Sequence, residues 1–230
     1  KEIFIYSYIM AEITATYDNQ PVKRAKGRIL YDISAINTNK EILNNEGIYF
    51  NFKIDSTIFN TTYNMLLIGP EDTPYEGGFY FFEAIYPDQY PFYPMKMKSL
   101  TQGENVRKHP NLYVCGKCCF SFLGTWAGPP WTACQNPQTV AMSMRSVLTK
   151  NPINHEPGWE DKNDNSTRLY EKLITYFNLK YGVVNIIDKL LENDNNTNYI
   201  NNFKIDIINN FKKFFNKYLI NLEKFKNDDG

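Results

Sequence analysis

The sequence predicts an α+β domain followed by an all-helical extension, and three observations carry that reading. From Ile48 to Ile54 the pattern has a period of two: Ile48, Phe50, Phe52 and Ile54 alternate with Tyr49, Asn51 and Lys53, as in a half-buried strand. Further β-type runs follow at short intervals, which favours an antiparallel meander over βαβ crossovers. Beyond Phe203, apolar residues recur at spacings of three and four as far as Phe225, the signature of one helix face.

Taken in order, residues 1–20 form an N-terminal segment. Its apolar stretch Ile3–Met10 has the length of a signal-peptide core, but Glu2 and Glu12 flank it and no clean small-residue cleavage site follows, so it is not read as a secretion signal. Residues 21–44 read as a helix, opened by Pro21 and marked by Ile29, Ile33 and Ile36. After the strand at 48, β-type runs are expected at 63–68 and 79–85 around the turn-rich Gly69-Pro-Glu-Asp-Thr-Pro-Tyr-Glu-Gly-Gly78, with a short fourth run at 95–100. The segment Tyr86–Met95 carries prolines at 87, 91 and 94, too many missing amide donors for a regular element. It reads as a rigid loop with room for a cis Tyr-Pro bond. Residues 101–136 show no periodicity, as functional loops often do. Asn136 and Pro137 then make an N-cap and first turn for a central helix through Val140, Met144 and Val147, ending near Asn151-Pro152. The core is placed at 21–160. The extension, 161–230, holds a helix over 169–177 that is interrupted or ended near Gly182, then Val183–Leu191, then the long helix from Phe203.

Composition narrows the function. The 230 residues carry 25 Lys+Arg against 25 Asp+Glu, with 43% hydrophobic and 16% aromatic residues. Such a balance argues against nucleic acid as the main partner, and no apolar run reaches the roughly 18 residues that span a bilayer. The charges are unevenly spread, however: Lys23, Arg24, Lys26 and Arg28 open the first helix with no acid among them. The cysteines (115, 118, 119 and 134) crowd one stretch instead of spanning the chain, which points to a reducing compartment, cytoplasm or nucleus.

Cys115-Gly-Lys-Cys118 alone would suggest half a zinc site or a redox pair. Only Cys119 and Cys134 remain to complete a shell, there is no second CxxC, and the two histidines are His109 and His155. No metal is therefore expected. The stronger chemical reading is a single nucleophilic cysteine in an irregular loop, with Gly116 allowing close backbone approach and Lys117 supplying a nearby positive charge.

The run Gly69-Pro-Glu-Asp-Thr-Pro-Tyr-Glu-Gly-Gly78 is followed in order by Tyr86-Pro-x-x-Tyr-Pro-Phe-x-Pro94, His109-Pro110-Asn111, Cys119 and Trp131. Together these resemble the ubiquitin-conjugating enzymes over residues 22–160. Trp131 stands twelve positions after Cys119, a longer loop than in the small members; with Glu156-Pro-Gly-Trp-Glu160 it is similar to the large-enzyme branch.

The resemblance implies the family's fold: an N-terminal helix, a four-stranded antiparallel meander and a central helix. It also implies that an activating enzyme, which consumes ATP, hands ubiquitin to Cys119 as a thioester and that a substrate lysine then takes it; the chain itself binds no cofactor. Cysteine suits both steps, nucleophilic on entry and a good leaving group on exit. Asn111 is expected either to donate to the developing oxyanion or to pin the loop, and His109 and Pro110 to support it structurally. Glu156 is the candidate for an acidic group opposite the cysteine, with His155 the alternative, and Ser121 stands where small members often have Asp. Lys26 and Arg28 are expected to meet the activating enzyme. Phe92 and Ala133 fall on the family's ligase-binding surface, although Ala133 and Met95 replace prolines common there. Other ubiquitin-like modifiers, and a non-catalytic scaffold of the same fold, are the rival readings; Cys119 itself argues against the second.

Overall fold

Helix α1 (Pro21–Thr38) buries Ile29, Ile33 and Ile36 on one stripe. The single helix expected as far as residue 44 is instead two. Asn39 leaves the helical path (φ −91°, ψ 8°) before α2 (Lys40–Asn45), and its amide donates to Gln138 Oε1 at 3.1 Å. Asn gives up helix geometry readily when its side chain finds a partner elsewhere. The computed structural model describes residues 21–52, 62–192 and 197–228; the N-terminal segment and the strand positions Lys53 and Ile54 lie outside the described residues.

Strands β1 (Ile48–Phe52), β2 (Thr62–Ile68), β3 (Phe79–Ile85) and β4 (Lys96–Ser99) form one antiparallel sheet in sequential order. Met65 faces Phe82 and Phe82 faces Ser99 across the ladders. Alternation sends Tyr63, Met65, Leu67, Tyr80 and Phe82 to an inner face. There they meet the stripe of α1 and the buried Val140, Ala141 and Met144 of α3 (Pro137–Ser146). Helix α3 opens with a capping box: Asn136 accepts from Thr139 N–H, and Thr139 Oγ1 from Asn136 N–H, each at 3.0 Å. It stops sooner than the periodicity predicts, at Val147, whose carbonyl is claimed by the site described below. The Tyr90–Pro91 bond is cis.

The other face of the sheet is apolar too. Leu66, Ile68, Phe79 and Phe81 project outward and are covered by the extension. Helix α4 (Asn165–Phe177) starts on the Asp164 cap, which accepts from Ser166 N–H at 2.8 Å and Thr167 N–H at 3.2 Å. The chain then widens into a π-helical stretch, Asn178–Val184, which interrupts the α-helix around Gly182, and continues as α5 (Asn185–Glu192), α6 (Asn198–Asn201) and α7 (Lys204–Asp228). Val183, Ile186, Ile200, Phe203, Ile207 and Phe214 fill the outer layer, so the sheet lies between two helical layers. Each fully buried Leu, Ile or Phe contributes roughly 1.5–3 kcal/mol.

Two glycines of the turn between β2 and β3 receive this layer. A Cβ on Gly77 (φ +70°) would sit 2.7 Å from Phe214, and one on Gly78 would sit 1.7 Å from Asn178 Oδ1. Asn178, buried, accepts from Tyr80 Oη–H at 2.6 Å and donates to Glu76 O at 2.9 Å, fastening the π-helical stretch to the core.

Candidate active site

The loop after β4 is shaped by a tight turn. Leu112 bridges both His109 and Cys118; between them Tyr113 N–H donates to Lys117 O at 3.0 Å and Gly116 N–H to Tyr113 O at 2.9 Å. Gly116 takes φ +89°, a conformation that L side chains rarely adopt. The CxxC is thus a turn, with Cys115 on its exposed rim and Cys118 inside, and all four cysteines are free thiols. Among the described residues no cluster of His, Cys, Asp or Glu is arranged to hold a metal ion.

Burial pushes the Cys118 thiol up to about 12, which makes it inert, and pulls the neighbouring Lys108 down to about 7. Lys108 Nζ is fully enclosed and donates to Thr101 O at 2.7 Å and Gln102 Oε1 at 3.3 Å.

Cys119 is held from both sides by Asn111. Its N–H donates to Asn111 O at 2.8 Å, and Asn111 Nδ2 donates to Cys119 O at 2.7 Å. Behind Asn111 sits His109, fully buried, whose Nδ1 accepts from Asn111 N–H at 3.0 Å. Its other nitrogen lies 3.0 Å from Val147 O, which can only accept. These two partners assign the neutral tautomer with the proton on Nε2. Burial, with His155, Arg107 and Lys108 adding to it, pulls His109 down to about 3. His109 therefore ties the cysteine loop to the end of α3 and carries no proton to the reaction.

The Cys119 residue is only 3% exposed, and its Sγ–H donates to Thr125 O at 2.9 Å. Thr125 is itself tied back: its Oγ1 accepts from Phe120 N–H at 2.9 Å and lies 2.9 Å from Cys118 O. The long loop between Cys119 and Trp131 thus folds over the thiol. It turns at Gly124 (φ +67°) and at Gly128, whose added Cβ would meet Ser121 at 3.0 Å. Ser121 faces this loop.

Asn111, Cys119, His155 and Glu156 line one small concavity, together with Arg107, Tyr113 and Trp126. Glu156 does not stand alone in it. Arg107 Nη2 lies 3.1 Å from Glu156 Oε2, its guanidinium stacks 4.3 Å from the Tyr113 ring centre, and it also donates to Pro110 O. His155 packs its ring 5.1 Å from that of His109, and its pKa is lowered by partial burial.

The partner-facing residues lie elsewhere. Lys26 is exposed on α1, whereas Arg28 is only partly exposed. Its guanidinium turns inward to Asp32 Oδ1 (2.9 Å), Ala133 O (2.7 Å) and Gln135 O (3.0 Å). Tyr90 donates to the other oxygen of Asp32, a carboxyl that burial pushes up and these hydrogen bonds hold down. Arg28 therefore fastens α1 to the loop that carries Ala133. Phe92 is 70% exposed, and its loop is joined to that of Ala133 where Trp131 Nε1 donates to Pro91 O at 2.7 Å.

Sequence reasoning missed Arg107, Tyr113, Thr125 and Trp126 as site residues. Thr125 and Trp126 carried a signal, the lengthened loop after the cysteine; Arg107, the first of an Arg107-Lys108 pair before His109, carried none.

A four-stranded meander flanked by α1 and α3, with a pinned cysteine facing an acidic residue, defines a family, and the sequence profile described as ubiquitin-conjugating enzyme matches residues 36–177. The chain belongs to the ubiquitin-conjugating enzyme family. It is 38% identical over 139 residues to human ubiquitin-conjugating enzyme E2 Z, covering 60% of this chain and 39% of that protein. It is 36% identical over 135 residues to human BIRC6, named a dual E2 ubiquitin-conjugating enzyme/E3 ubiquitin-protein ligase, covering 52% of this chain and 3% of that one. Both are similar along the large-enzyme branch. The chain spans about two fifths of the length of the E2 Z relatives it matches. Among solved structures, the E2 domain of a Toxoplasma gondii ubiquitin conjugating enzyme superposes with a TM-score of 0.51 at 21% identity, covering 68% of this chain and 98% of that domain, a likeness of fold.

Proposed function

We propose that the chain carries ubiquitin as a thioester on Cys119 and transfers it to a lysine amine of a protein substrate. The observation that supports this best is the bidentate hold of Asn111 on Cys119, which presents the sulfur at a concavity that also contains a carboxylate. In loading, the Cys119 sulfur attacks the activating enzyme's thioester; a new C–S bond forms, the old one breaks, and the leaving thiolate recovers a proton. In transfer, a deprotonated amine attacks the carbonyl carbon. The C–N bond forms, the C–S electron pair returns to Cys119, and the amine's surplus proton passes to solvent or to Glu156.

Lys26, exposed on α1, offers charge to an activating enzyme, and Phe92 with the Ala133 loop offers a surface to a ligase. ATP enters only through the activating enzyme. Two exposed free cysteines, Cys115 and Cys134, suit a reducing cytoplasm or nucleus.

Purified chain, activating enzyme, ATP and ubiquitin are expected to give a reductant-sensitive adduct. Cys119→Ser converts it to a reductant-resistant ester, and Cys118→Ser leaves it reductant-sensitive. An adduct that forms only with another ubiquitin-like modifier would change the modifier assigned; absence of an adduct with any modifier would overturn the reading. In the same assay Asn111→Ala is expected to slow transfer to lysine about a hundredfold if its amide meets the oxyanion, whereas a purely structural Asn111 would impair loading and transfer alike.

A further inference from the structure

The carboxylate in the cysteine concavity is already engaged by a cation of the chain itself. Arg107 is held for that task by three separate contacts: the 3.1 Å ion pair with Glu156, the 4.3 Å stack on Tyr113 and the bond to Pro110 O, next to the asparagine that pins Cys119. A fourth tie fixes its backbone, since Tyr170 Oη–H of the extension donates to Arg107 O at 2.8 Å. The pair is half-exposed, 37% for Arg107 and 33% for Glu156, and so open to exchange. An acceptor lysine reaching the thioester enters as an ammonium, and Glu156 is the acidic side chain lining that concavity.

We propose that Arg107 is a positioning residue that occupies Glu156 until an acceptor amine displaces it. The guanidinium holds the carboxylate at the mouth of the concavity, and the incoming lysine competes with it for the same oxygens. Because Arg107 is anchored on Tyr113 and Pro110 it stays nearby when displaced, and it closes over Glu156 again once the product leaves. A half-exposed ion pair of this kind has a modest strength that a substrate cation can match.

The inference rests on Cys119 bearing the thioester, and the test separates the two. Isolated Cys119–ubiquitin thioester is chased with free lysine at increasing concentration, and both the limiting rate and the half-saturating concentration are read. Arg107→Gln is expected to lower the half-saturating concentration about two- to fivefold. Arg107→Lys, which restores a competing cation, stays near the starting protein. Glu156→Gln raises it, and adding Arg107→Gln to Glu156→Gln changes nothing further. A merely structural Arg107 would depress the limiting rate in both Arg107 variants and leave half-saturation alone, which overturns the proposal. So does a fall that persists in the Glu156→Gln background. If Arg107→Gln melts below the assay temperature, Arg107→Met is read in its place. Failure to form any thioester overturns the cysteine assignment and this inference together, whereas a loaded protein whose lysine dependence ignores Arg107 overturns the inference alone.

Discussion

On the outer face of the sheet, Leu66, Ile68, Phe79 and Phe81 meet Val183, Ile186, Phe203 and Phe214 through apolar contact, with the Asn178 amide as a polar bolt. At the cysteine end the balance is reversed. Few residues there belong to a strand or helix, and order comes from single hydrogen bonds between side chains and backbone: His109 to Asn111 and Val147, Asn111 to Cys119, Thr125 to Phe120 and Cys118. The contrast has a physical logic. Apolar packing is non-directional and sets no orientation for the reacting sulfur, whereas polar ties fix a group's direction and release it at a cost of about 1 kcal/mol each. The outer face is therefore built for strength, and the cysteine end for position and exchange.

Gly78→Ala breaks the strong side of that comparison and has the largest expected effect. The new methyl would lie 1.7 Å from Asn178 Oδ1. The amide must leave, stranding Tyr80 Oη and Glu76 O in the interior and lifting the π-helical stretch off the turn. Overpacking together with two lost partners amounts to about 4 kcal/mol. Denaturant unfolding measures it; a loss under about 1 kcal/mol would mean that the extension is not fastened at this point.

His109→Ala tests the polar side and is expected to cost about 3 kcal/mol, since Asn111 N–H and Val147 O both lose their partner in a buried setting. It also carries a pH signature. With the folded-state pKa pulled down to about 3 against an ordinary value near 6.5, the unfolded chain binds the proton first as pH falls. Between about pH 6.5 and 3, stability therefore drops on acidification by up to roughly 1.4 kcal/mol per pH unit through this residue. Subtracting the unfolding profile of His109→Ala from that of the starting protein should leave this slope. A flat difference would mean that His109 is already charged in the folded state.

How much was legible in the sequence follows the same divide. Where burial repeats along an element the pattern is visible: the alternation in β1, the stripe of α1, and the run of apolar residues in β2 with one face on each helical layer. Where a residue's role depends on a distant partner it is not. The π-helical stretch forms where Asn178 reaches Tyr80 and Glu76, nearly a hundred or more positions away, and no local signal announces that. Arg28 reads as one of four bases facing a partner because its carbonyl partners belong to Ala133 and Gln135, brought near only by the fold. The site divides likewise. Cys119, Asn111 and Glu156 stand in recognisable motifs and line one concavity, but the guanidinium that occupies Glu156 comes from Arg107, whose meaning lies in Tyr113 and Pro110.

Thr125→Val sharpens the comparison with the smallest change. Valine keeps the shape of threonine, so packing is preserved, but the hydroxyl that accepts from Phe120 N–H and reaches Cys118 O is gone. The Thr125 carbonyl is then held against Cys119 Sγ only by the backbone bond from Thr125 N–H to Phe120 O, at 3.1 Å. Because that contact uses the S–H, which a thiolate lacks, any reaction at the sulfur must first break it. Stability is expected to fall by about 2 kcal/mol, the value of two such ties. Alkylation of Cys119 by iodoacetamide at pH 7 is expected to rise about fivefold, the factor that corresponds to about 1 kcal/mol. Peptide mass spectrometry separates Cys119 from the exposed Cys115 and Cys134, whose rates serve as internal references. A Cys119 rate that moves only in step with those two would show that the loop encloses the sulfur without restraining it. A selective rise would show that the polar ties of one hydroxyl govern access to the reacting atom, an effect that the apolar outer face has no means to produce.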